Sequence, residues 1–165
     1  MVRVLVSACL LGEKVRYNGG ATLVEHDVLA RWLAEGRVVA FCPEVAGGLG
    51  VPRPAAEIDG AGGGAVLDSE ARVMTNRGAD VTTGFLRGAR LALDAARAQD
   101  VRLAVLKEGS PSCGSESIHD GTFKGVRRPG QGVTTALLER HGIRVFSEDR
   151  LDEASRYLDN LEKES

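Results

Sequence analysis

The sequence has few aromatic residues, little net charge and no long apolar run, and each of these shortages excludes a class of function. Aromatic side chains make up 4% of the residues, which is too few for the stacking surfaces that bind single-stranded nucleic acid. The formal net charge of −2 gives no general attraction to nucleic acid or to an anionic membrane. No stretch approaches the ~20 apolar residues that a membrane-spanning helix needs. We therefore expect neither a nucleic-acid partner nor an association with membranes.

Cysteine is also scarce, with three residues that stand far apart in the chain: Cys9, Cys42 and Cys113. An odd number of widely separated cysteines is not a disulfide framework, which favours a reducing compartment. The few apolar residues ahead of Cys9 are also fewer than the roughly 7–15 that form the core of a signal peptide. We therefore expect a cytoplasmic protein with free thiols.

Glycine, by contrast, is plentiful, with 21 residues in the chain. From residue 43 to about residue 64 the sequence is rich in Gly and Pro. Loops of this length in a compact domain are usually functional or disordered. A short hairpin of residues 65–67 and 71–74 is expected to follow this stretch.

The alternation of two hydrophobic patterns predicts the fold class. Short apolar runs predict β-strands at residues 2–6, 37–41, 102–106 and 143–146. Apolar residues at helical spacing predict helices between them, the first from a capping box of Thr22 and Glu25 to a stop at Gly36. Three further helices are expected at residues 85–96, 134–140 and 151–161.

Strands that alternate with helices indicate an α/β fold. We expect the whole chain to form a single domain with a small, mostly parallel sheet of about four strands flanked by helices, in a Rossmann-like arrangement. Long Gly/Pro-rich loops are expected at the carboxyl edge of this sheet. The tail after about residue 161 is expected to be frayed.

Each of the three cysteines comes just after a predicted strand. The carboxyl ends of parallel strands meet at one edge of a sheet, and ligands bind in the crevice there. Cys9, Cys42 and Cys113 are therefore expected to converge, and three thiolates at one place suggest a metal ion or an iron–sulfur cluster with one position left open. The alternative is that the three thiols are merely buried small hydrophobic groups.

The spacing of the cysteines bears on the metal that they would hold. A closed structural zinc site takes four Cys or His ligands, usually in close pairs, and the chain has no C-x₂₋₄-C pair. Iron–sulfur clusters are held by thiolates, and a cubane with three of them leaves one iron open. His119 stands six residues after Cys113 and is either a fourth ligand or a solvated loop residue. His26 and His141 are expected to be structural.

Other polar residues near the cysteines are candidates for catalysis. Glu44 comes two residues after Cys42, where a carboxylate can act as a general acid or base; the alternative is a helix or turn cap. Ser110 and Ser112 are either hydroxyl donors to a substrate or turn residues. Arg53 lies between two prolines and either pairs with an anionic group or is solvated.

Five separate groups of motifs follow one another along the chain. They are Ser7-Ala8-Cys9-Leu10-Leu11-Gly12 with Val15-Arg16-Tyr17, Cys42-Pro43-Glu44-Val45 with Gly47-Gly48-Leu49, Pro52-Arg53-Pro54-Ala55-Ala56-Glu57-Ile58, Ser110-Pro111-Ser112-Cys113-Gly114 and Asp120-Gly121-Thr122-Phe123. In this order they resemble the motifs of the thiouracil desulfidase family, long catalogued as a domain of unknown function. The resemblance extends over nearly the whole chain to about residue 150.

The resemblance implies an α/β domain with a [4Fe-4S] cluster held by three cysteines, which correspond to Cys9, Cys42 and Cys113. It implies a fourth iron without a protein ligand, which takes the sulfur of a thiocarbonyl while water replaces that sulfur at carbon. The sulfur then leaves as hydrogen sulfide with no net redox change. By the same resemblance the catalytic glutamate corresponds to Glu44 and the catalytic serine to Ser110.

The chain departs from the family pattern at two positions. Asn18 and His119 stand where that pattern has the Asp and the Tyr of two Tyr-Asp-Gly triplets. Both departures leave the three cysteines intact, so they bear on the choice of substrate.

We therefore expect a non-redox, [4Fe-4S]-dependent desulfidase acting on a thiolated pyrimidine or a small thioamide. One alternative is a hydratase or dehydratase that activates a hydroxyl at the open iron. Another is a non-catalytic iron–sulfur or zinc scaffold, or a redox sensor. The expected partner is a small-molecule substrate, and the sequence leaves the oligomeric state open.

Overall fold

The computed structural model describes residues 1–164, which form eight β-strands and six α-helices. The strands are β1 (Arg3–Ser7), β2 (Val38–Phe41), β3 (Ala56–Asp59), β4 (Arg72–Thr75), β5 (Val101–Leu106), β6 (Ser117–His119), β7 (Arg127–Pro129) and β8 (Arg144–Ser147). The helices are α1 (Asp27–Ala34), α2 (Pro43–Ala46), α3 (Gly63–Leu67), α4 (Thr82–Ala98), α5 (Val133–Arg140) and α6 (Leu151–Glu164).

The central sheet has four parallel strands in the order β2-β1-β5-β8. Strand β1 is buried on both faces, which explains its unbroken apolar sequence. Val4 and Val6 pack with Trp32 of α1 and Leu158 of α6 on one face. Leu5, between them, packs on the other face with residues of α4 and α5. The expected α/β fold, with helices on both faces of a parallel sheet, is confirmed.

Two antiparallel pairs lie outside the central sheet, β3 with β4 and β6 with β7. They share a third core with helices α3 to α5, in which Ile58, Val73, Phe85 and Ile118 are buried. The expected hairpin of residues 65–67 and 71–74 is wrong. The first segment belongs to helix α3, and β4 pairs with β3 instead, because a short apolar run fits a buried helical turn as well as a strand.

Helix α1 begins four residues later than the capping box predicted, at Asp27 with His26 as the N-cap in place of Thr22. The His26 Nδ1 accepts a hydrogen bond from the Val28 backbone N–H at 3.1 Å. Thr22 does not cap a helix because the segment after it is bound to the 3-10 turn that contains Cys9. The Thr22 N–H donates to the Cys9 carbonyl, and the Val24 N–H, which a cap at Thr22 would accept from, donates to the Leu10 carbonyl, both at 3.0 Å. The structural role expected of His26 is therefore that of a helix cap.

The C-terminal helix α6 continues to Glu164. The part of the expected frayed tail up to that residue is thus helical, and Ser165 lies outside the described residues. Within residues 1–164, no helix combines the length and the apolar character needed to cross a membrane.

Candidate active site

The parallel sheet brings the three cysteines to one cavity at its carboxyl edge. Cys9 lies in a 3-10 turn directly after β1, Cys42 is the N-cap of α2 after β2, and Cys113 lies in the loop after β5. All three are free thiols and line the same cavity of about 350 Å³. Small-molecule sites have volumes of about 300–1,000 Å³, so the cavity can hold a ligand.

The three thiols influence one another electrostatically. Burial is the main cause that raises the pKa of Cys9, and the nearby Cys42 adds to it, to give a pKa of about 11. Burial also raises the pKa of Cys113, with contributions from Glu44, Cys42 and Cys9, and it raises the pKa of Cys42. Three thiolates can therefore be held here together only with a cation that compensates their charge.

The cysteines are not arranged to chelate one ion. Among residues 1–164, no group of three or more His, Cys, Asp or Glu side chains is close enough to hold a single metal ion. A cluster of several irons is larger than one ion, so its thiolate ligands stand farther apart. The donor set of three separated thiols on one cavity fits such a cluster better than it fits zinc.

Ser7 lies beside the deepest of the thiols. Its hydroxyl is buried, accepts a hydrogen bond from the Lys107 backbone N–H at 3.0 Å and donates to Cys113 Sγ at 4.0 Å. Because strands β1 and β5 are neighbours, this contact follows from the sheet topology. It places a hydroxyl donor on the sulfur of Cys113.

Glu44 and Arg53 form an ion pair in the cavity wall. Glu44 lies in the first turn of α2. Its Oε1 is 3.2 Å from Arg53 Nε, and the side chains of Glu44 and Arg53 are 16% and 9% exposed. Burial raises the pKa of Glu44 above its usual range, although the Arg53 guanidinium opposes this effect. Arg53 is therefore paired with an anionic group, the first of the two roles left open for it.

The two candidate serines have different surroundings. Ser110 lines the cavity, and its Oγ accepts a hydrogen bond from the Cys113 backbone N–H at 2.7 Å. Because this oxygen accepts from the backbone, the hydroxyl proton is left to donate to a ligand. Ser112 is buried outside the cavity lining, where it hydrogen-bonds Thr134 Oγ1 at 2.8 Å and also hydrogen-bonds the Cys113 side chain, which acts to lower the pKa of that thiol. Of the two, only Ser110 is placed to meet a substrate.

His119 lies on β6 and lines the same cavity as the three cysteines. Its Nδ1 is buried, and within the described part of the chain it has no hydrogen-bond partner. His141, in turn, ends helix α5 and contacts Arg97 at 2.8 Å.

Sequence reasoning missed Glu108, which shapes the loop carrying Ser110 and Cys113. Its carboxylate accepts hydrogen bonds from four backbone N–H groups and one hydroxyl, those of Gly109, Ser115, Glu116 and Ser117 and the Ser115 side chain. Burial acts to raise the pKa of Glu108, but these hydrogen bonds prevail and lower it. No periodicity or motif marks this residue, since its partners are set by the path of the loop.

Comparisons with known proteins agree on one family. Residues 4–150 match the family model described as 2-thiouracil desulfurase. The chain is 43% identical over 150 residues to the uncharacterized protein YbbK of Bacillus subtilis (strain 168), a match that covers 91% of this chain and 98% of that protein. It is also similar to a solved structure described as the [4Fe-4S]-dependent thiouracil desulfidase TudS, with 52% identity and a TM-score of 0.89. That match covers 96% of this chain and 99% of the solved one.

Proposed function

The chain belongs to the 2-thiouracil desulfurase family, and from this premise we propose that it removes the sulfur of a thiolated pyrimidine or a small thioamide. In the overall reaction a thiocarbonyl and water give a carbonyl and hydrogen sulfide, with no net oxidation or reduction. Three unpaired thiols suit a reducing compartment, so we expect the reaction to run in the cytoplasm.

The proposed cofactor is a [4Fe-4S] cluster held by Cys9, Cys42 and Cys113. Two observations support it, the convergence of three free thiols on one cavity and the similarity to a desulfidase that is named for such a cluster. When bound by three thiolates, the cluster supplies an iron with an open position, a Lewis acid suited to a soft sulfur atom.

Glu44 is the proposed general acid and base. Its carboxylate takes a proton from the attacking water as the C–O bond forms, and returns that proton to the sulfur as the C–S bond breaks. The hydroxyl left on carbon gives up the second proton as the carbonyl forms, so both protons of the water leave with the sulfide. Its place in the cavity wall, two residues after Cys42, brings it beside the cluster ligands. The Arg53 guanidinium favours the ionised form of the Glu44 carboxylate, which is the form that can accept this proton.

Ser110 is the proposed hydrogen-bond donor to the substrate. Its oxygen is held by the Cys113 N–H, so its proton is available to an acceptor of the substrate, such as a ring carbonyl oxygen or the sulfur on which negative charge develops. Orientation of the substrate by such a donor lowers the barrier without any covalent step.

The single observation that carries the proposal is that three thiols from three strand ends line one cavity together with the Glu44–Arg53 pair. The test is to purify the protein without oxygen, to assay iron and acid-labile sulfide, and to incubate it with 2-thiouracil or 4-thiouracil. We expect uracil and sulfide to form in equal amounts without an added electron donor or acceptor.

Other outcomes would contradict the proposal. Stoichiometric zinc without labile sulfide would exclude the cluster. A fully loaded protein that hydrates or dehydrates a hydroxy compound but leaves every thioamide unchanged would be a hydratase or dehydratase. A loaded protein that turns over no small molecule would be a scaffold or a redox sensor.

A further inference from the structure

The Arg53 side chain is fixed at three points. Its Nε donates to Glu44 Oε1 at 3.2 Å, one terminal nitrogen donates to the Gly50 carbonyl at 3.0 Å, and the other donates to the Val15 carbonyl at 3.1 Å. The guanidinium is planar and presents its donors in a rigid fork, so three acceptors from three segments define its position completely. The side chain is only 9% exposed, so water competes weakly for these bonds.

The backbone of Arg53 is held as firmly as its side chain. Its N–H donates to the Tyr17 carbonyl at 2.7 Å, and the rings of Pro52 and Pro54 on either side restrict the chain. The residue therefore joins the loop after helix α2 to the loop that follows Cys9. Such a fixed donor can impose a position on a flexible partner.

Glu44 is that flexible partner. A glutamate side chain has several rotatable bonds, and those bonds are ordered at an entropic cost unless a contact holds them. Arg53 engages Oε1, which leaves Oε2 as the oxygen for a water molecule or a substrate. A small displacement of a catalytic group is costly, of the order of 10²-fold for a misplacement of about 1 Å.

We propose that Arg53 is a positioning residue that holds the Glu44 carboxylate in the geometry for proton transfer, an inference that rests on the function proposed for Glu44. The competing explanation is that Arg53 only fastens two loops together through Val15 and Gly50. The two explanations differ in whether the effect of Arg53 passes through Glu44, and a double-mutant cycle measures this difference.

The kinetic test uses the cluster-loaded enzyme and compares Arg53→Met, Arg53→Lys, Glu44→Gln and the double variant Glu44→Gln/Arg53→Met. We expect Arg53→Met to keep the iron and sulfide content and visible spectrum of the parent, and to lower kcat by about 10–100-fold with little change in KM. Lysine can restore one charged contact but not the fork, so Arg53→Lys is expected to recover part of the loss.

The double variant gives the decisive comparison. If Arg53 acts through Glu44, the double variant is no slower than Glu44→Gln alone. The proposal would be overturned if the kcat losses of the two single variants multiplied in the double variant. It would also be overturned if the lower kcat of Arg53→Met were explained by a lower cluster content. Arg87→Met is the matched control, because Arg87 also holds a loop carbonyl, that of Gly47 at 3.2 Å, and we expect it to retain the parent kcat.

A second readout does not depend on turnover. In crystals of the loaded Arg53→Met variant, the Glu44 carboxylate should move to a different position or occupy two alternative positions. The backbone of the loops that contain Val15 and Gly50 should keep its parent conformation. Glu44 found in its parent position would overturn the proposal even if the protein desulfurates no thiouracil. An inactive parent in which Arg53 still fixes Glu44 would contradict only the proposed function.

Discussion

Ser110 Oγ accepts a hydrogen bond from the Cys113 backbone N–H at 2.7 Å. The proposed substrate donor and one proposed cluster ligand are therefore parts of the same tight turn. Glu108 holds the following residues of this loop through its carboxylate, so a single buried side chain supports both groups. Changes that displace this loop as a whole are therefore expected to affect cluster binding and catalysis together.

The first prediction concerns the three proposed ligands. Each single change of Cys9, Cys42 or Cys113 to Ala should remove most of the iron and labile sulfide and all desulfuration, because two thiolates are a poor set for a cubane. Metal analysis and visible absorbance of protein prepared without oxygen provide the measurement. A variant that keeps its full cluster and activity would show that its cysteine is only a buried small residue.

The second prediction separates catalysis from cluster binding. Glu44→Gln keeps the shape and one acceptor oxygen but removes the ionisable group, so kcat should fall by about 10²–10⁴-fold. The visible spectrum should remain that of the parent. Glu25→Gln, at an exposed position, is the control and should be fully active. Parent-like turnover of 4-thiouracil by Glu44→Gln would rule out the proposed role.

The third prediction compares two serines in one loop. Ser110→Ala should lower kcat, less than Glu44→Gln does, since it removes one hydroxyl donor and no ionisable group. Ser112→Ala should instead lower the free energy of unfolding by about 1–3 kcal/mol, because it leaves the buried Thr134 hydroxyl without its partner. Steady-state kinetics and denaturant unfolding of both variants test this contrast. The prediction is contradicted if Ser112→Ala lowers kcat and Ser110→Ala does not.

Much of the fold could be predicted because its strands follow a simple rule. Buried strands have apolar sequences, and β1, β5 and β8 were recognisable in this way. Strand β2, at the edge of the sheet, is only partly buried, but its run of four apolar residues marked it as well. The start of helix α1 could not be recognised from the sequence. The segment from Thr22 is hydrogen-bonded to the turn that contains Cys9, which is distant in sequence but adjacent in space. The pairing of β3 with β4 also escaped prediction, because it depends on tertiary contacts rather than on local spacing.

In the cavity, too, some features follow from the sequence pattern and others depend on tertiary contacts. That Cys9, Cys42 and Cys113 would share one place followed from the strand ends, and the structure places all three on one cavity. The role of Glu108 did not follow, since its partners are backbone groups of a loop whose path no sequence pattern describes. An anionic partner was one of two possibilities for Arg53, but that this partner is Glu44 could be inferred only from the folded chain.

The fourth prediction concerns a close packing contact behind the cysteine loop. A Cβ added at Gly132 would lie 2.4 Å from the Ser112 carbonyl carbon and 2.7 Å from the Cys113 nitrogen, and backbone atoms cannot move aside cheaply. Gly132→Ala should therefore lower the unfolding free energy and displace Cys113 enough to reduce cluster content. At Gly64 an added Cβ would meet only the end of the Arg140 side chain at 3.4 Å.

Gly64→Ala is accordingly the matched control for Gly132→Ala. Gly64 lies inside helix α3, where alanine is favoured over glycine by about 1 kcal/mol. The control should be as stable as the parent or more stable, with a normal iron content. Equal stability and iron content in the two alanine variants would contradict the packing argument.

The last prediction uses the pH dependence of stability to test the role of Glu108. Its pKa in the folded protein is lowered by hydrogen bonds that outweigh the effect of burial. A carboxyl whose pKa is lower in the folded state than in the unfolded chain stabilises the fold above the unfolded pKa, here near 4.5, and that stabilisation is lost as the pH falls through the folded pKa.

Glu108→Gln should therefore reduce the unfolding free energy at neutral pH by about 1.5–3 kcal/mol, the range for hydrogen bonds to a charged group. Urea unfolding of the parent and the variant from neutral pH down to pH 4 should show a constant difference at first that narrows below the unfolded pKa. A difference that stays constant or widens on acidification would mean that the Glu108 charge does not hold the cysteine loop.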